Sequence, residues 1–388
     1  MYMSSTKRYI AHLDLDCFFV SVERIKKPSL IGKPVVVGGS ATGRGVVASA
    51  SYEARKFGIH SAMPTARAQR LCPNLIIVHG SHGEYGRISK KLFERMCELA
   101  PIVERASIDE MNMDFTGCES LYHHDLPGFM KTIQKLVLDE FKLPCTIGLA
   151  SNKTIAKIAV NQVKPAGIAF VAHGTEAAYL APLDISVIPG VGKKTEEYLR
   201  EKGFYKVSDV QQKTGKEILS ILGKHGSWIY NVAFGRGSDV IGNEWDAKSI
   251  SREETFAKDI ADRKELEKII FALTEDVCRQ LREYGWKTRT VTLKLRYSDF
   301  KTITHAESIE PTNDDTIVAQ TARSLLHSAY TRKLPVRLIG VRLTNFNEEE
   351  QMELSLFPSQ KKKQDILKVV DGIRKKFGDN IIHVGGQE

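Results

Sequence analysis

The sequence predicts an α+β fold in several domains, and three patterns support that prediction. Alternating apolar and polar residues predict a strand at residues 9 to 16. Glycines followed by a short helical stretch at residues 188 to 202 predict a helical hairpin. Residues 249 to 346 are predicted to run strand, helix, strand, strand, helix, strand, which is a split βαβ arrangement. A chain of 388 residues has ample length for such cores.

The first predicted strand ends in two carboxylates, Asp14 and Asp16. Side chains at positions i and i+2 of a strand lie on the same face. Both carboxylates are therefore expected on the face of His12, opposite the apolar side chains of Leu13 and Leu15. Asp16 can also cap the helix that is predicted to follow it.

A second acidic pair, Asp109 and Glu110, lies where the apolar phase of another strand changes from Ile108 to Met111 and Met113. A strand cannot change faces without a bulge or a tight turn, so we expect the pair at a kink or hairpin tip. If this tip lies beside the first strand, three carboxylates converge and require divalent cations. Such oxygen ligands suit Mg²⁺, often shared with substrate phosphates. An ordinary exposed turn is the alternative.

Three further residues are of types that bind phosphate. Tyr52 and Arg55 are three positions apart and would be neighbours on a helix face. A phenol beside a guanidinium suits a polyphosphate, although a solvated surface helix is the alternative. Lys164 lies at the end of a later apolar helix. It is there either a point charge for phosphate or a complement to the helix dipole.

The order and spacing of four motifs resemble those of the Y-family of translesion DNA polymerases, in the DinB branch. The motifs are Asp14-Leu15-Asp16-Cys17-Phe18-Phe19, Tyr52-Glu53-Ala54-Arg55, Ser107-Ile108-Asp109-Glu110 and Lys164-Pro165. The resemblance covers about residues 8 to 346. It implies a template-directed, low-fidelity polymerase that adds dNTPs to a primer 3′ end by two-metal phosphoryl transfer, without proofreading.

The same resemblance implies a role for each motif residue. Asp14, Asp109 and Glu110 would hold two Mg²⁺ ions, and Leu15 would offer a backbone carbonyl to one of them. The residue pattern alone does not decide whether Asp14 or Asp16 is the metal ligand, whereas the resemblance favours Asp14. The other implied roles are dNTP contacts for Phe18, Phe19, Tyr52, Arg55 and Lys164, a steric gate against ribonucleotides for Phe19, and a base-pair pocket lined by Val46, Ala48 and Ala62.

The resemblance also implies a right-hand architecture. Its expected parts are a palm (1–20 and 79–172), small fingers (21–78), a helical thumb (173–240), a linker (241–248), a βαββαβ little finger (249–346) and a tail (347–388). In the thumb, Gly190 and Gly192 would let backbone amides approach DNA phosphates, beside Lys193 at the start of a helix. A helical turn without a ligand is the alternative.

In the little finger, residues 289 to 297 alternate between an apolar and a basic face. Val291 and Leu293 lie on the apolar face, whereas Lys294 and Arg296 lie on the other. A basic sheet face is expected to contact the duplex backbone, and a solvated face is the alternative.

The tail contains a segment that resembles the motif by which proteins bind the bacterial, beta-type sliding clamp. Its residues are Gln351, Leu354, Leu356 and Phe357. Extended peptides of this kind fill a groove with apolar side chains. The shorter form of the motif would place the glutamine at position 353, where this chain has Glu353. The alternative is a strand that packs against an amphipathic helix predicted at residues 364 to 377.

Composition is consistent with a DNA-binding enzyme but would not identify one. Lys and Arg outnumber Asp and Glu by 56 to 47, for a net charge of +9, which favours an anionic partner such as primer-template DNA. Six cysteines lack metal-site spacing, which predicts reduced thiols in a cytoplasmic protein. No secretory signal or membrane-length apolar run is present, so no membrane partner is expected. We expect a monomer.

Three other classes of function are alternatives to a polymerase. A non-catalytic, polymerase-like scaffold for DNA-damage tolerance would not need all three carboxylates. A helix-hairpin-helix repair enzyme, such as a glycosylase or nuclease, would not need the triphosphate contacts. A nucleotide cyclase can use a palm with two metals, but it has no need for the thumb and the basic sheet.

Overall fold

The computed structural model describes residues 7–242, 247–348 and 358–377. Its contacts divide the chain into two compact units, Met1–Trp245 and Asp246–Glu388. Across the ranges just given, none of the helices combines the length and apolar character that crossing a bilayer requires. The finer division of the first unit into palm, fingers and thumb stays a prediction.

The first unit is a mixture of strands and helices. Its strands are β1 (Ile10–Leu15), β2 (Val35–Gly38), β3 (Val47–Ala50), β4 (Ile76–Val78), β5 (Ile102–Arg105), β6 (Glu110–Asp114), β7 (Cys145–Ala150) and β8 (Ile168–Phe170). Its α-helices are α1 (Phe18–Lys26), α2 (Tyr52–Arg55), α3 (Thr65–Leu71), α4 (His82–Cys97), α5 (Leu126–Phe141), α6 (Lys153–Val163), α7 (Glu176–Leu180), α8 (Lys193–Glu201), α9 (Val207–Gln211), α10 (Gly215–Leu222) and α11 (Lys224–Ala233). Short 3₁₀ helices occupy Pro28–Leu30, Glu119–Tyr122 and Ile185–Val187.

A five-stranded sheet in the order β5-β6-β1-β7-β8 forms the centre of this unit. β1 is antiparallel to both of its neighbours and is buried on both faces. Leu13 and Leu15 point into a core with Met111 and Met113, as the alternation predicts. α6 packs closely on β7, where a Cβ on Gly148 would come within 2.3 Å of the Ala156 carbonyl oxygen. Only glycine fits this approach.

The chain between α1 and α4 forms a separate three-stranded sheet in the order β3-β2-β4. β2 is antiparallel to β3 and parallel to β4. Its small core includes Val36, Val47 and Ala68. The glycine-rich stretch between β2 and β3 is a turn, closed by a hydrogen bond from the Gly39 amide to the Val46 carbonyl. Helices α7 to α11 pack in a core that they share with α6, and its residues from these helices include Leu180, Leu199, Val207, Ile218 and Ile229.

The second unit begins with β9 (Ser249–Ile260), α12 (Arg263–Glu283), β10 (Trp286–Tyr297), β11 (Thr302–Thr312), α13 (Asp315–Ala329) and β12 (Val336–Glu348). The predicted order of strands and helices is confirmed. The strands form an antiparallel sheet in the order β11-β10-β12-β9. Val291, Leu293 and Leu295 are buried in the core that this sheet shares with α12 and α13.

A last helix, α14 (Pro358–Phe377), is attached to the second unit by buried ion pairs. Arg282 contacts Asp315 at 2.5 Å and Asp371 of α14 at 2.6 Å. Arg374 of α14 contacts Glu275 of α12 at 2.7 Å. The helix begins six residues earlier than the predicted start at 364. The predicted clamp motif, Gln351, Leu354, Leu356 and Phe357, lies outside the described residues.

Candidate active site

The antiparallel pairing of β1 with β6 brings the two acidic motifs together. Asp14 lies directly opposite Glu110 in this pairing. The Leu15 amide donates to the Asp109 carbonyl at 3.0 Å, and the Ala106 and Glu110 backbones close the β5–β6 hairpin. Asp109 and Glu110 therefore lie at a hairpin tip, as the change of apolar phase predicted. The backbone places both motifs at one end of the five-stranded sheet.

The two facing carboxylates are held by cations from α6 and its C-terminus. Lys164 Nζ contacts Asp14 Oδ2 at 2.6 Å, and Lys157 forms an ion pair with Glu110. His12 Nε2 lies 3.7 Å from Glu110 Oε2. Lys157 was not among the predicted site residues. Its contact with Glu110 arises only from the packing of α6 on the sheet, which the local sequence pattern does not show.

Burial and these neighbours shift the titration of the site. Burial raises the pKa of Asp14 to about 7, and the Lys164 charge limits that rise. Burial alone would raise the pKa of Glu110 as well, but the Lys157 ammonium holds it below its usual range. Burial lowers the pKa of the His12 ring. A proton on Asp14 and a bound cation would therefore compete near neutral pH.

The donor set at this position fits a divalent cation. One ligand atom each from His12, Asp14 and Glu110 lies within 4.8 Å of the others. The Asp109 carboxylate accepts a 2.6 Å hydrogen bond from Ser107 Oγ, and its charge is close enough to act on the pKa of Asp14. Carboxylate oxygens are the ligands that Mg²⁺ prefers. The site can thus hold a metal ion.

Asp16 does not cap α1, and that prediction is wrong. Cys17 takes the N-cap position with φ 48 and makes no side-chain cap bond. The Asp16 carboxylate instead accepts hydrogen bonds from the Tyr52 hydroxyl, the Thr146 hydroxyl and the Ala166 amide. Donors from three separate segments outcompete the local cap. Asp16 therefore has a structural role in this conformation, whereas Asp14 faces Glu110.

Tyr52 and Arg55 are neighbours, as their spacing predicted. Ser51 caps α2 by accepting from the Ala54 amide. The Arg55 guanidinium lies 4.7 Å from the centre of the Tyr52 ring. Arg55 Nε also donates to the Ala50 carbonyl at 3.1 Å. The Tyr52 phenol and the Arg55 guanidinium therefore lie in contact. The Tyr52 hydroxyl also donates a hydrogen bond to Asp16, which directly follows β1 of the five-stranded sheet.

The two phenylalanines of the first motif have different environments. Phe18 is 2% exposed, so its side chain is not available to a nucleotide in this conformation. Phe19 is partly exposed and stacks on Tyr85, with ring centres 4.4 Å apart. This stacking fixes the ring of Phe19 at the start of α1. Leu15, the proposed carbonyl ligand, has a buried side chain.

The three residues predicted to line a base-pair pocket lie together in the three-stranded sheet region. Val46 immediately precedes β3 and is 51% exposed, and Ala48 is exposed within β3. The Ala62 amide donates to the Val47 carbonyl at 2.8 Å, which brings Ala62 beside them. All three residues are exposed at this surface.

The predicted helical hairpin is present. Gly190 has φ +92, a conformation that favours glycine, and Gly192 is the N-cap of α8. Trp228 Nε1 donates to the Pro189 carbonyl at 2.8 Å and holds the turn against α11. Lys193 is exposed at the first position of α8. The exposed amides and ammonium suit a phosphate.

The basic face of the second unit is less uniform than predicted. Lys294 and Arg296 both lie on the face opposite the core. Lys294 Nζ contacts Glu253 Oε2 of β9 at 2.7 Å. Arg296 Nε donates to Thr302 Oγ1 of β11 at 2.8 Å. An acidic partner therefore reduces the net charge beside Lys294.

Two protein-family models match this chain. The model described as the impB/mucB/samB family matches residues 13–161, and the model of that family's C-terminal domain matches residues 247–356. Together they cover more than half of the chain and both of its units.

Similar curated proteins and a solved structure point the same way. DNA polymerase IV of Dehalococcoides mccartyi is 38% identical over 381 residues, covering 97% of each chain. DNA polymerase IV of Opitutus terrae is 37% identical over 383 residues, also with 97% of each chain. A solved Y-family DNA polymerase chimera, 27% identical, superposes with a TM-score of 0.78 over 88% of this chain and 99% of that one.

Proposed function

Because the chain belongs to the impB/mucB/samB family and is a Y-family translesion DNA polymerase of the DinB branch, we propose that Asp14, Asp109 and Glu110 form its metal centre. The enzyme is a metal-dependent nucleotidyltransferase that binds primer-template DNA and dNTPs. The scaffold, repair-enzyme and cyclase alternatives are not favoured by these similarities. The metal we propose is Mg²⁺, with two ions in the working site.

One observation carries this proposal: Asp14 and Glu110 face each other across β1 and β6 with Asp109 at the adjoining hairpin tip. Two lysines, Lys157 and Lys164, neutralise the facing carboxylates. The lysine ammonium groups compensate the charge of the two carboxylates, and a divalent cation that binds these carboxylates can replace them.

The side chains around this centre would position the reactants. When bound, the two ions supply the charge that acidifies the primer 3′ hydroxyl and stabilises the leaving pyrophosphate. Lys164 would turn from Asp14 to the triphosphate once a cation neutralises that carboxylate. Tyr52 and Arg55 would contact the same phosphates, and the Leu15 carbonyl would complete the coordination of one ion. The protein thus contributes orientation and electrostatic stabilisation, with no covalent intermediate.

The remaining site residues would select and hold the substrates. Phe19 would clash with a ribonucleotide 2′ hydroxyl, and the Phe18 backbone would approach the same nucleotide. The small side chains Val46, Ala48 and Ala62 would constrain the nascent base pair weakly and tolerate damaged templates. The duplex would contact the hairpin residues Gly190, Gly192 and Lys193 and the sheet residues Lys294 and Arg296.

We further propose that residues Gln351, Leu354, Leu356 and Phe357 bind a bacterial, beta-type sliding clamp. The support is their sequence alone: a glutamine followed by spaced apolar residues. A tethered contact of this kind raises the effective concentration of the enzyme at the primer. The polymerase would act as a monomer in the cytoplasm.

Primer extension by charge-matched variants tests the metal centre. With Mg²⁺ and four dNTPs, Asp109→Asn and Glu110→Ala should each slow single-turnover extension by roughly 1,000-fold or more, since the ions supply several kcal/mol. Asp139→Asn, at an exposed position of α5, is the matched control and should be unaffected. DNA binding measured by fluorescence anisotropy should be retained by all three. Near-normal extension by Asp109→Asn and Glu110→Ala would place the metal centre elsewhere.

A further inference from the structure

A buried histidine lies beside the two facing carboxylates. His12 is 2% exposed and occupies the position two residues before Asp14 on the same face of β1. Its Nε2 atom lies 3.7 Å from Glu110 Oε2, which is beyond hydrogen-bond distance. Among the residues that the structure describes, Nε2 has no hydrogen-bond partner. A buried polar nitrogen without a partner is costly unless it binds something else.

A hydrogen-bond chain on the far side of the ring fixes which nitrogen carries the proton. His12 Nδ1 lies 2.7 Å from Asn112 Oδ1. The Asn112 amide cannot be reversed without loss, because its Nδ2 donates to Glu104 Oε1 at 3.0 Å. Glu104 is itself held by Lys153 at 3.0 Å. A carbonyl oxygen accepts, so Nδ1 must donate, and in the neutral ring Nε2 presents its lone pair to the carboxylates.

This arrangement is the one found at histidines that ligate metals. Such histidines donate their other ring N–H to a fixed acceptor, which orients the ring. Here Asn112 is that acceptor and Glu104 fixes it. One ring nitrogen of His12 and one oxygen each from Asp14 and Glu110 lie within 4.8 Å of one another, and Nε2 is 3.7 Å from Glu110 Oε2. Modest side-chain movement would bring all three to coordination distance from one ion.

We propose that His12, Asp14 and Glu110 form a mixed nitrogen–oxygen site for a first-row transition-metal dication. This inference rests on the proposed function for Asp14 and Glu110 and adds His12 to their metal centre. Mg²⁺ prefers oxygen ligands and retains waters, whereas imidazole nitrogen is a good ligand for transition metals. The His12 nitrogen should therefore strengthen the binding of a transition metal and contribute little to the binding of Mg²⁺. A transition metal would compete with Mg²⁺ for the same carboxylates.

Pulsed electron paramagnetic resonance on the native chain tests the nitrogen ligand without any substitution. Full-length protein is loaded with substoichiometric Mn²⁺, once with ordinary histidine and once with histidine labelled with the heavy nitrogen isotope. We expect nitrogen modulation of the Mn²⁺ echo that changes its pattern on labelling. Bound Mn²⁺ whose echo shows no histidine nitrogen would overturn the inference, and His12 would then be a structural residue.

A pair of matched variants then identifies the histidine. His12→Leu removes the proposed ligand, and His225→Leu makes the same change at an exposed position of α11. His12→Leu should abolish the nitrogen modulation and weaken Mn²⁺ binding by about 10-fold or more, with a much smaller loss for Mg²⁺. His225→Leu should change neither. An equal loss for both ions would mean that His12 only supports the carboxylates, and the inference would fail.

Asn112→Leu separates ligation from packing. It leaves His12 in place but removes the acceptor that fixes the ring, so Mn²⁺ affinity should fall by roughly 10-fold while nitrogen modulation persists in the bound fraction. Unchanged affinity would contradict the proposed role of the Asn112 hydrogen bond.

The outcomes also distinguish this inference from the metal centre on which it rests. If Mn²⁺ binds and Glu110→Ala removes it, but no histidine nitrogen is detected, the carboxylate centre stands and the role of His12 is wrong. If Glu110→Ala leaves Mn²⁺ binding intact, the carboxylate centre itself is wrong.

Discussion

The Tyr52 hydroxyl donates a 2.9 Å hydrogen bond to the Asp16 carboxylate. This bond joins α2, at the edge of the three-stranded sheet, to the end of β1 in the five-stranded sheet. Asp16 is 1% exposed and also accepts from Thr146 and the Ala166 amide. A single carboxylate therefore connects the predicted triphosphate-binding helix to the strand that carries Asp14.

Replacing Asp16 should destabilise the fold. Asp16→Asn exchanges one acceptor oxygen for an amide that faces existing donors, so the free energy of unfolding should fall by about 2 kcal/mol. Urea denaturation followed by circular dichroism measures this change. Asp139→Asn, at an exposed position, should have the same free energy of unfolding as the native chain within error. An Asp16→Asn variant as stable as that control would mean that these hydrogen bonds contribute little.

Binding of Mg²⁺ to the protein without DNA should depend on pH through Asp14. Burial raises the pKa of this carboxyl to about 7, so the cation must displace a proton below that pH. The ionised fraction falls from about nine-tenths at pH 8 to about one-tenth at pH 6, so affinity should fall about 10-fold. Isothermal titration calorimetry in buffers of different ionisation enthalpy measures both the affinity and the proton release. Mg²⁺ affinity that is constant from pH 6 to pH 8 would contradict the assignment.

The same raised pKa predicts how stability depends on pH without metal. The folded state keeps a proton on Asp14 that the unfolded chain, in which the carboxyl has its ordinary pKa of 3.8, has lost. This contribution to stability should therefore decrease as the pH rises from about 4 to about 7. Urea denaturation at a series of pH values measures the decrease, which should be absent in Asp14→Asn. The same slope in both proteins would assign the titration to another group.

Phe19→Ala should relax discrimination against ribonucleotides. The stacking of Phe19 on Tyr85 holds the ring in place, and alanine removes the surface with which a 2′ hydroxyl would clash. The ratio of dNTP to rNTP incorporation efficiency should fall by roughly 100-fold. Single-nucleotide incorporation kinetics measure this ratio. If it is unchanged while activity is retained, another residue forms the gate.

Removing both basic side chains from β10 should weaken DNA binding and its dependence on salt. Lys294→Ala with Arg296→Ala should reduce the log–log salt slope by about 1.8 if each contacts one phosphate. Lys264→Ala with Lys268→Ala, at exposed positions of α12, is the charge-matched control. Glu253→Gln should instead strengthen binding, because it releases Lys294 from its ion pair. Equal slopes for both double variants would place this face away from DNA.

The clamp proposal requires a test that separates processivity from chemistry. Leu356→Ala with Phe357→Ala should leave extension without a clamp near normal and remove stimulation by a bacterial sliding clamp. Extension of a primed template with and without loaded clamp measures the ratio. Gln351→Ala should reduce it less, because the amide fixes register while the apolar side chains supply most of the binding. Stimulation that survives the double change would show that the motif does not bind the clamp.

The parts of the fold and site that sequence predicted are those set by local pattern. Strand alternation predicted the face on which Asp14 lies, although it did not distinguish Asp14 from Asp16, and the change of apolar phase predicted Glu110 at a hairpin tip. Lys157 and His12 acquire their contacts only when α6 packs on the sheet and β1 pairs with β6. The sequence pattern of a single segment does not show which other segments it will pack against. The mistaken cap at Asp16 has the same origin, because a local rule competed with donors from distant segments.

The salt bridges of α14 change what a premature stop codon would do to this protein. Ending translation after β12 would remove Asp371 and Arg374. Glu275 would lose its ion-pair partner, and Arg282 would keep Asp315 but lose its second carboxylate. An uncompensated buried charge is strongly destabilising. A truncation meant only to delete a clamp-binding tail would therefore also weaken the folding of the second unit. Loss of activity in such a strain would reflect a damaged domain as much as a missing partner, and point substitutions within residues 351–357 are the cleaner genetic tool.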